Sequence, residues 1–550
     1  MKYVKLFIAV TILLIGCSQN ESADKIYINA KIWTGDSVNP SATVLAIKDN
    51  KIIYVGNEIG TLDTSSAEVI DLQGKMMVPG FMDNHTHFLF GGYGLASVQL
   101  KEAKTKQDFI NTIKAYCIAH PGDSWIQGGD WDHENWGGEL PQKEWIDSVT
   151  GDHPLFIQRY DGHMAFANSK ALSLAKISGT SSVPSGGIMI KNKQGEPTGV
   201  FKDEAMPMIS KAIPDPTQTQ LDEYLARAGQ HAIEHGVTKV VDMSIYGGWP
   251  ELQTYRKAYA ANKLPLRIYS FVPLTKWASL DSFVKKNGKG DDMLHWGGVK
   301  GFVDGSLGST TAWFYQPYLD DPNTSGLNIT DTVLLRKWVL AADKAGLQVA
   351  VHAIGDRAND FILSVYDEAN KVNGSNDRRF RVEHAQHLTQ DAIKRFHELN
   401  VIASMHPYHL VDDGNWAAKR LDSARLRGTY AFKRMLNEGV MLTFGSDWTV
   451  APINPLYGIY AAVTRRTGNG LNPNGWFADE KISIEQALRA YTMGNAYGSF
   501  QEKKLGVLKA GMYADLVVLN EDLFSIKPET IKDVKVLRTV INGKEVFVSR

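Results

Sequence analysis

Two rhythms of apolar and polar positions divide the 550-residue chain. Near the N-terminus, residues 25–34 (KIYINAKIWT) alternate, 43–47 are apolar, and Asp49-Asn50 turns the chain into a further short strand over 51–55. The same character returns over 514–519 and 536–547, where Asn542-Gly543 is a hairpin signal. These β-rich ends predict one small β-sandwich built from residues 24–77 and 503–550. Between them, short apolar runs occur at 77–84, 237–243, 266–271, 298–303, 347–352, 380–384, 401–405 and 441–445. Amphipathic stretches such as 221–235, 331–345 and 390–399 separate most of them. Strand–helix alternation is the mark of βαβ units, and eight strands are the number that closes a (β/α)8 TIM barrel. Residues 78–502 are therefore read as a barrel in an α/β fold. The span between its first two strands exceeds any ordinary crossover and holds strand-like 125–129 and 155–159, which predicts an insertion subdomain over roughly 100–215.

The first residues follow neither rhythm. Lys2 and Lys5 precede an apolar run from Leu6 to Ile15, too short for a bilayer core of about 20 residues and the right length for a secretory signal. Leu14-Ile15-Gly16-Cys17 resembles a bacterial lipobox, so residues 1–17 are expected to be a lipoprotein signal with Cys17 as the lipidated residue. The expectation is an exported protein, tethered through acyl chains at the periplasmic face of the outer membrane, with a soluble body. Cys117, the only other cysteine, has no partner for a bridge. With 59 basic and 60 acidic residues the chain lacks the cationic excess that nucleic-acid binding needs.

Candidate chemistry sits at the ends of the barrel runs. His85 and His87 are two apart, so on an extended strand both imidazoles point the same way and make half of a metal site. The later strands end in Lys300, His352, His384 and Asp447. In a TIM barrel such groups converge over the mouth. Each has a plainer role as well: an ion pair with Asp304 for Lys300, a helix N-cap for Asp447, and a surface pair for the two histidines.

With these residues stand longer motifs: VPGFMDNHTH from Val78, GHMAFANSKAL from Gly162, KGFVDGSLGSTTA from Lys300, VAVHAIGDRAND from Val349, RVEHAQH from Arg381 and GSDWTV from Gly445. In them the chain resembles the amidohydrolase superfamily and, within it, the amidohydrolase 3 family that includes N-substituted formamide deformylases. The resemblance implies that His85, His87 and Asp447 hold one divalent metal, that His352 and His384 hold a second, and that Lys300 bridges them as a carbamate. Zinc is the first expectation, with Mn, Fe, Co and Ni compatible with the ligands. Metal-bound hydroxide would attack a carbonyl while Asp447 moves the proton to the departing nitrogen. His163, in the insertion, becomes a candidate substrate contact. Trp131, Trp136 and Trp448 are candidate pocket walls whose competing role is core packing, and His406 and Arg381 are candidates to support the ligands.

The expected activity is hydrolysis of a non-peptide C–N bond in a small amide, N-substituted formamide or cyclic amide. A deaminase acting on a heterocycle is the enzymatic alternative. Deaminases of the superfamily tend to carry a glutamate three residues after the strand-five histidine, and here Ala353-Ile354-Gly355 follows His352. A non-catalytic metal- or solute-binding lipoprotein is the third reading. Nothing in the sequence opposes a homo-oligomer.

Overall fold

The structure, a computed structural model, describes residues 22–60, 62–122, 124–159, 163–244 and 248–549. The segment 1–17, with Cys17, lies outside the described residues. Among those described, no helix is long and apolar enough to cross a membrane.

Eight parallel strands form one sheet in chain order: β1 Phe81–Thr86, β2 Val237–Asp242, β3 Arg267–Pro273, β4 Leu294–Phe302, β5 Gln348–Ala353, β6 Arg381–His384, β7 Ile402–Met405 and β8 Leu442–Phe444. Strands such as β2 (VTKVVD) and β5 (QVAVHA) are buried at every position, because the barrel interior covers one face and helices the other. Crossover helices begin at side-chain caps: Thr217 opens the helix Gln218–Glu234 with a capping box, and Asp331 accepts two backbone N–H bonds at the start of Thr332–Lys344.

The circle closes above β8. Asp447 N–H donates to the His85 carbonyl at 2.8 Å, and His87 N–H donates to the Trp448 carbonyl at 2.7 Å. Below them the Asp83 carboxylate accepts from Ser446 N–H at 3.0 Å, Ser446 Oγ at 2.5 Å and His85 N–H at 3.1 Å. A Cβ at Gly445 would stand 2.7 Å from the His85 nitrogen, so only glycine lets the end of β8 approach β1 this closely.

Two runs that read as single strands are divided. Residues 25–34 break at Asn29, whose φ of 53° sends Lys25–Ile28 and Lys31–Trp33 into different sheets. Residues 77–84 break at Gly80, where a Cβ would lie 2.4 Å from Thr238 Oγ1. Met76–Pro79 belongs to a sheet built from both chain ends, and only Phe81–Thr86 enters the barrel.

That sheet orders Lys544–Val548, Val536–Ile541, Leu516–Leu519, Met76–Pro79, Lys31–Trp33 and Ser41–Ala42. A second sheet of Lys51–Gly56, Val44–Lys48, Lys25–Ile28 and Glu68–Asp71 shares a core with it through Tyr27, Leu45, Met77, Val518 and Val540. Between β1 and β2 the chain builds six further strands, in spatial order Val98–Gln99, Gly128–Trp131, Phe156–Arg159, Met164–Ala167, Pro197–Asp203 and Gly187–Lys191. Separate apolar clusters around Phe109 and Trp131, and around Phe156 and Phe201, give this segment its own cores.

Arg267, at the start of β3, fastens the barrel to the terminal sheets. Its guanidinium donates to Asp515 at 2.6 and 3.0 Å and to Asn542 Oδ1 at 2.6 Å, and both charged side chains are buried. Arg267→Met leaves the Asp515 carboxylate buried and unpaired, which costs about 3–5 kcal/mol. Calorimetry should show a clearly lower melting temperature; an unchanged one would show that this junction carries no stability.

Candidate metal centre

The mouth of the barrel collects histidines. His85 lies near the end of β1 and His87 just beyond it, with Asp447 placed against them by the β8–β1 seam: its Oδ1 lies 3.1 Å from His87 Nε2 and 3.5 Å from His85 Nε2. Lys300 Nζ, from β4, is 3.2 Å from His85 Nε2. His384 ends β6 with its ring 5.4 Å from that of His85, and His406, just beyond β7, is 4.7 Å from His85. Among the described residues, three groups of donor atoms lie within 4.8 Å of one another: His85, His87 and Asp447; His85, His384 and His406; and His384, His409 and Asp447.

His384 and Asp447 hold positive φ values of 71° and 58°. Such non-glycine residues cost on the order of 1–3 kcal/mol each and persist where the surroundings fix them, commonly at functional sites. Here the neighbouring strands and the seam hold both.

Burial sets the charge state. Burial and the adjacent Lys300 hold His85 well below the ordinary imidazole range, and burial with the His352 ring beside it does the same for His384. Burial takes His352 down to about 4 and His406 to about 3. The rings are therefore neutral, the form that binds cations. Burial also lowers the Lys300 amine to about 8, against the upward pull of Glu383 and Asp447. For Asp447, burial raises the carboxyl, but the His87 hydrogen bond and the imidazoles of His406 and His409 outweigh it. The carboxyl titrates well below its usual range and is ionised.

A carboxylate stands behind the first ligand. Glu383 Oε2 is 2.7 Å from His85 Nδ1, and Glu383 is itself held by Arg381 Nε at 2.7 Å and Ser404 Oγ at 2.6 Å. With His85 Nδ1–H donating to Glu383, the Nε2 lone pair faces the centre. His384 Nδ1, His406 Nε2 and His409 Nε2 are buried without a hydrogen-bond partner among the described residues. Neutral imidazoles, an ionised carboxylate and ring nitrogens left unsatisfied together fit a divalent cation of the imidazole-preferring kind.

The expected site residues fare differently. His85, His87, Lys300, His384 and Asp447 meet at the mouth. His352 belongs to none of the donor groups: its Nε2 is 3.0 Å from the Gly305 carbonyl and 3.5 Å from Asp304 Oδ1. His163 is 79% exposed at the side chain and pairs with Asp203 at 2.9 Å, on the surface of the insertion rather than in the centre. Trp131 corrects the pocket-wall expectation: it is wholly buried in the insertion's core, its Nε1 donating to the Ile157 carbonyl at 3.2 Å, because it faces inward from the second strand of that sheet. Trp136 packs beside it on Phe109. Trp448 lines a cavity of about 530 Å³, together with Phe90, Gln127, Asp130, Phe156 and Gln158.

Two residues escaped the sequence reading. Glu383 stands in the quoted RVEH run, yet nothing local marks it as the partner of His85. His409 opens the helix His409–Asp413 directly after β7, and its signal was the spacing His406-Pro407-Tyr408-His409, which returns a second imidazole over the mouth.

An eight-stranded parallel barrel carrying histidines and an aspartate at its carboxyl end defines a metal-dependent hydrolase of the amidohydrolase type. The amidohydrolase family model matches residues 68–547, and the chain belongs to that family. It is 40% identical over 540 residues to Protein LONG AFTER FAR-RED 3 of Arabidopsis thaliana, covering 96% of this chain and 92% of the relative. It is 26% identical to an N-substituted formamide deformylase of Arthrobacter pascens, over 94% of this chain and 97% of that enzyme. The crystal structure of an uncharacterized metal-dependent hydrolase from Pyrococcus horikoshii OT3 superposes with a TM-score of 0.76 at 29% identity, covering 92% of this chain and 99% of that one.

Glu383→Gln removes the negative charge behind His85 while keeping its size. The expected result is a 10- to 100-fold (order of magnitude) loss of zinc affinity in competition with a chromophoric chelator. Unchanged affinity would mean that the Glu383 charge serves Arg381 and Ser404 and not His85.

Proposed function

We propose that this amidohydrolase hydrolyses a non-peptide C–N bond in a small amide, an N-substituted formamide or a cyclic amide being the leading class. The observation that carries the reading is the Asp447 carboxylate, ionised and within reach of both His85 and His87 at the barrel mouth. Likeness to the formamide deformylase along almost the whole of both chains supports the substrate class.

His85, His87 and Asp447 would hold one divalent cation, which when bound lowers the pKa of water from 15.7 to about 7 and polarises a carbonyl. The Asp447 carboxylate accepts the proton of the attacking water. The new C–O bond forms at the carbonyl carbon, the C–N bond breaks, and Asp447 returns the proton to the departing nitrogen. Glu383 keeps the His85 ring oriented throughout. The cavity beside Trp448 offers aromatic walls for the organic part of the substrate, with Gln127, Gln158 and Asp130 as polar contacts.

Lys300 is read as the carbamylated member of the site. Its amine, pushed down to about 8, is partly neutral at physiological pH, the form that adds carbon dioxide and releases a proton to give an anionic carbamate. Export and lipidation at Cys17, with attachment to the periplasmic face of the outer membrane, complete the reading and rest on the sequence of residues 1–17.

A deaminase is the alternative, and product analysis separates the two. Zinc- or manganese-loaded protein incubated with N-substituted formamides, cyclic amides, Xaa-Pro dipeptides and amino-heterocycles should release amine and carboxylate, not ammonia. Chelation should abolish turnover, and Asp447→Asn should lower kcat by at least about 10²-fold. Loaded protein that turns over no amide sinks the proposal. For Lys300, ¹³C-bicarbonate should give a carbamate resonance in the loaded protein that is missing from Lys300→Met; a spectrum without it would leave the lysine unmodified.

A further inference from the structure

Among the described residues, Asp130 is the one charged side chain on the wall of the cavity beside Trp448. Trp448 directly follows Asp447, so this wall adjoins the metal side of the mouth. Phe90, Tyr93, Phe156 and Trp448 supply aromatic surface, and no described lysine, arginine or histidine lines the cavity. Burial pushes the Tyr93 phenol up to about 12, so that ring is neutral.

Asp130 reaches the wall through a strained backbone. Gly128, Gly129 and Asp130 hold φ values of 100°, 124° and 58° in succession. A Cβ would stand 2.5 Å from Ser97 Cβ at Gly128 and 2.5 Å from the Gln158 carbonyl oxygen at Gly129, so both positions need glycine. The parallel register against Phe156–Arg159 then slips. Gly129 faces Gln158 and Trp131 faces Arg159, which leaves Asp130 as the extra residue of a bulge. Trp131 is buried in the insertion's core while Asp130 stays exposed. A non-glycine residue in this conformation is strained, and such strain persists commonly at functional sites. No internal contact of the carboxylate offsets it: among the described residues Asp130 has no hydrogen bond or ion pair. Arg159, on the neighbouring strand, pairs with Asp132 at 2.7 Å.

We propose that the substrate carries a positive charge, an ammonium or guanidinium group remote from the scissile bond, and that Asp130 selects for it. The inference rests on the hydrolytic reading above and names the substrate class within it. A carboxylate strengthens a hydrogen bond from a cation, and the electron-rich faces of aromatic rings attract the same charge. Both features favour a cation over a neutral or anionic group in this cavity.

The test compares substituents of matched length. Metal-loaded full-length protein is given N-(4-aminobutyl)formamide, N-pentylformamide or N-formyl-5-aminopentanoate. The cationic formamide should have a kcat/KM at least about 10-fold above the neutral one, the worth of one hydrogen bond to a charged group, and the anionic one should be slowest. Asp130→Asn keeps the size and tolerates the left-handed backbone, and should cut that ratio by about 10-fold. Binding is read separately by calorimetry, where benzylammonium should bind the wild type more tightly than benzyl alcohol and lose the advantage in Asp130→Asn. Equal melting temperatures show that Asp130→Asn is folded; if they differ, the wild-type comparisons decide alone. A wild type that prefers the neutral or anionic formamide, or a preference that Asp130→Asn leaves intact, overturns the proposal while leaving the hydrolytic reading standing. If no formamide is turned over, that failure belongs to the hydrolytic reading and the calorimetry decides: a benzylammonium advantage lost in Asp130→Asn upholds the selection by Asp130, and equal binding of the two probes overturns it.

Discussion

The seam between β8 and β1 governs this molecule. A barrel needs its last strand to meet its first, and here the contact is made by the four residues that follow β8, Gly445 to Trp448. The Asp83 carboxylate gathers Ser446 and the His85 amide beneath the mouth, and the backbone bonds above it fix Asp447 and Trp448. Closing the barrel and assembling the ligand set are one event. The absence of a side chain at Gly445 allows it, and the left-handed backbone of Asp447 is part of what it costs.

Around the seam, burial does the electrostatic work. Desolvation favours the uncharged form of His85, His384 and His406, and in a cluster this dense neighbouring rings also disfavour their protonation. Asp447 and Glu383 are the carboxylates next to these rings, and Arg381 neutralises Glu383 from below. The site therefore presents neutral nitrogen donors around the ionised Asp447, with the Lys300 amine close by.

Much of this was legible in the sequence, for physical reasons. Parallel barrel strands are buried on both faces, so β2 and β5 read as largely apolar runs, and the candidate ligands His85, His384 and Asp447 stand at or just beyond strand ends because the barrel mouth lies there. The strand breaks at Asn29 and Gly80 were hidden, since alternation continues across both and only the third dimension shows two sheets competing for one run. Glu383 went unassigned, and Trp131 was left open between pocket wall and core, for a related reason. Which side of a strand end faces the metal and which faces a core depends on register against neighbours more than one hundred residues away in the case of Glu383 and His85. His409 was missed because its helix opens only after the chain has turned at Pro407.

The break at Gly80 has a consequence for the order of events during synthesis. The strand bearing His85 and His87 is the direct continuation of Met76–Pro79, which hydrogen-bonds to Leu516–Leu519 on one side and Lys31–Trp33 on the other. His85 and His87 lie far ahead of Leu516–Leu519 in the chain, yet the sheet that anchors their strand needs that later segment. A nascent chain thus carries half a chelating site with no fixed geometry until residues 516–548 emerge. Geometry fit to hold a cation therefore needs both strands that flank Met76–Pro79 in place.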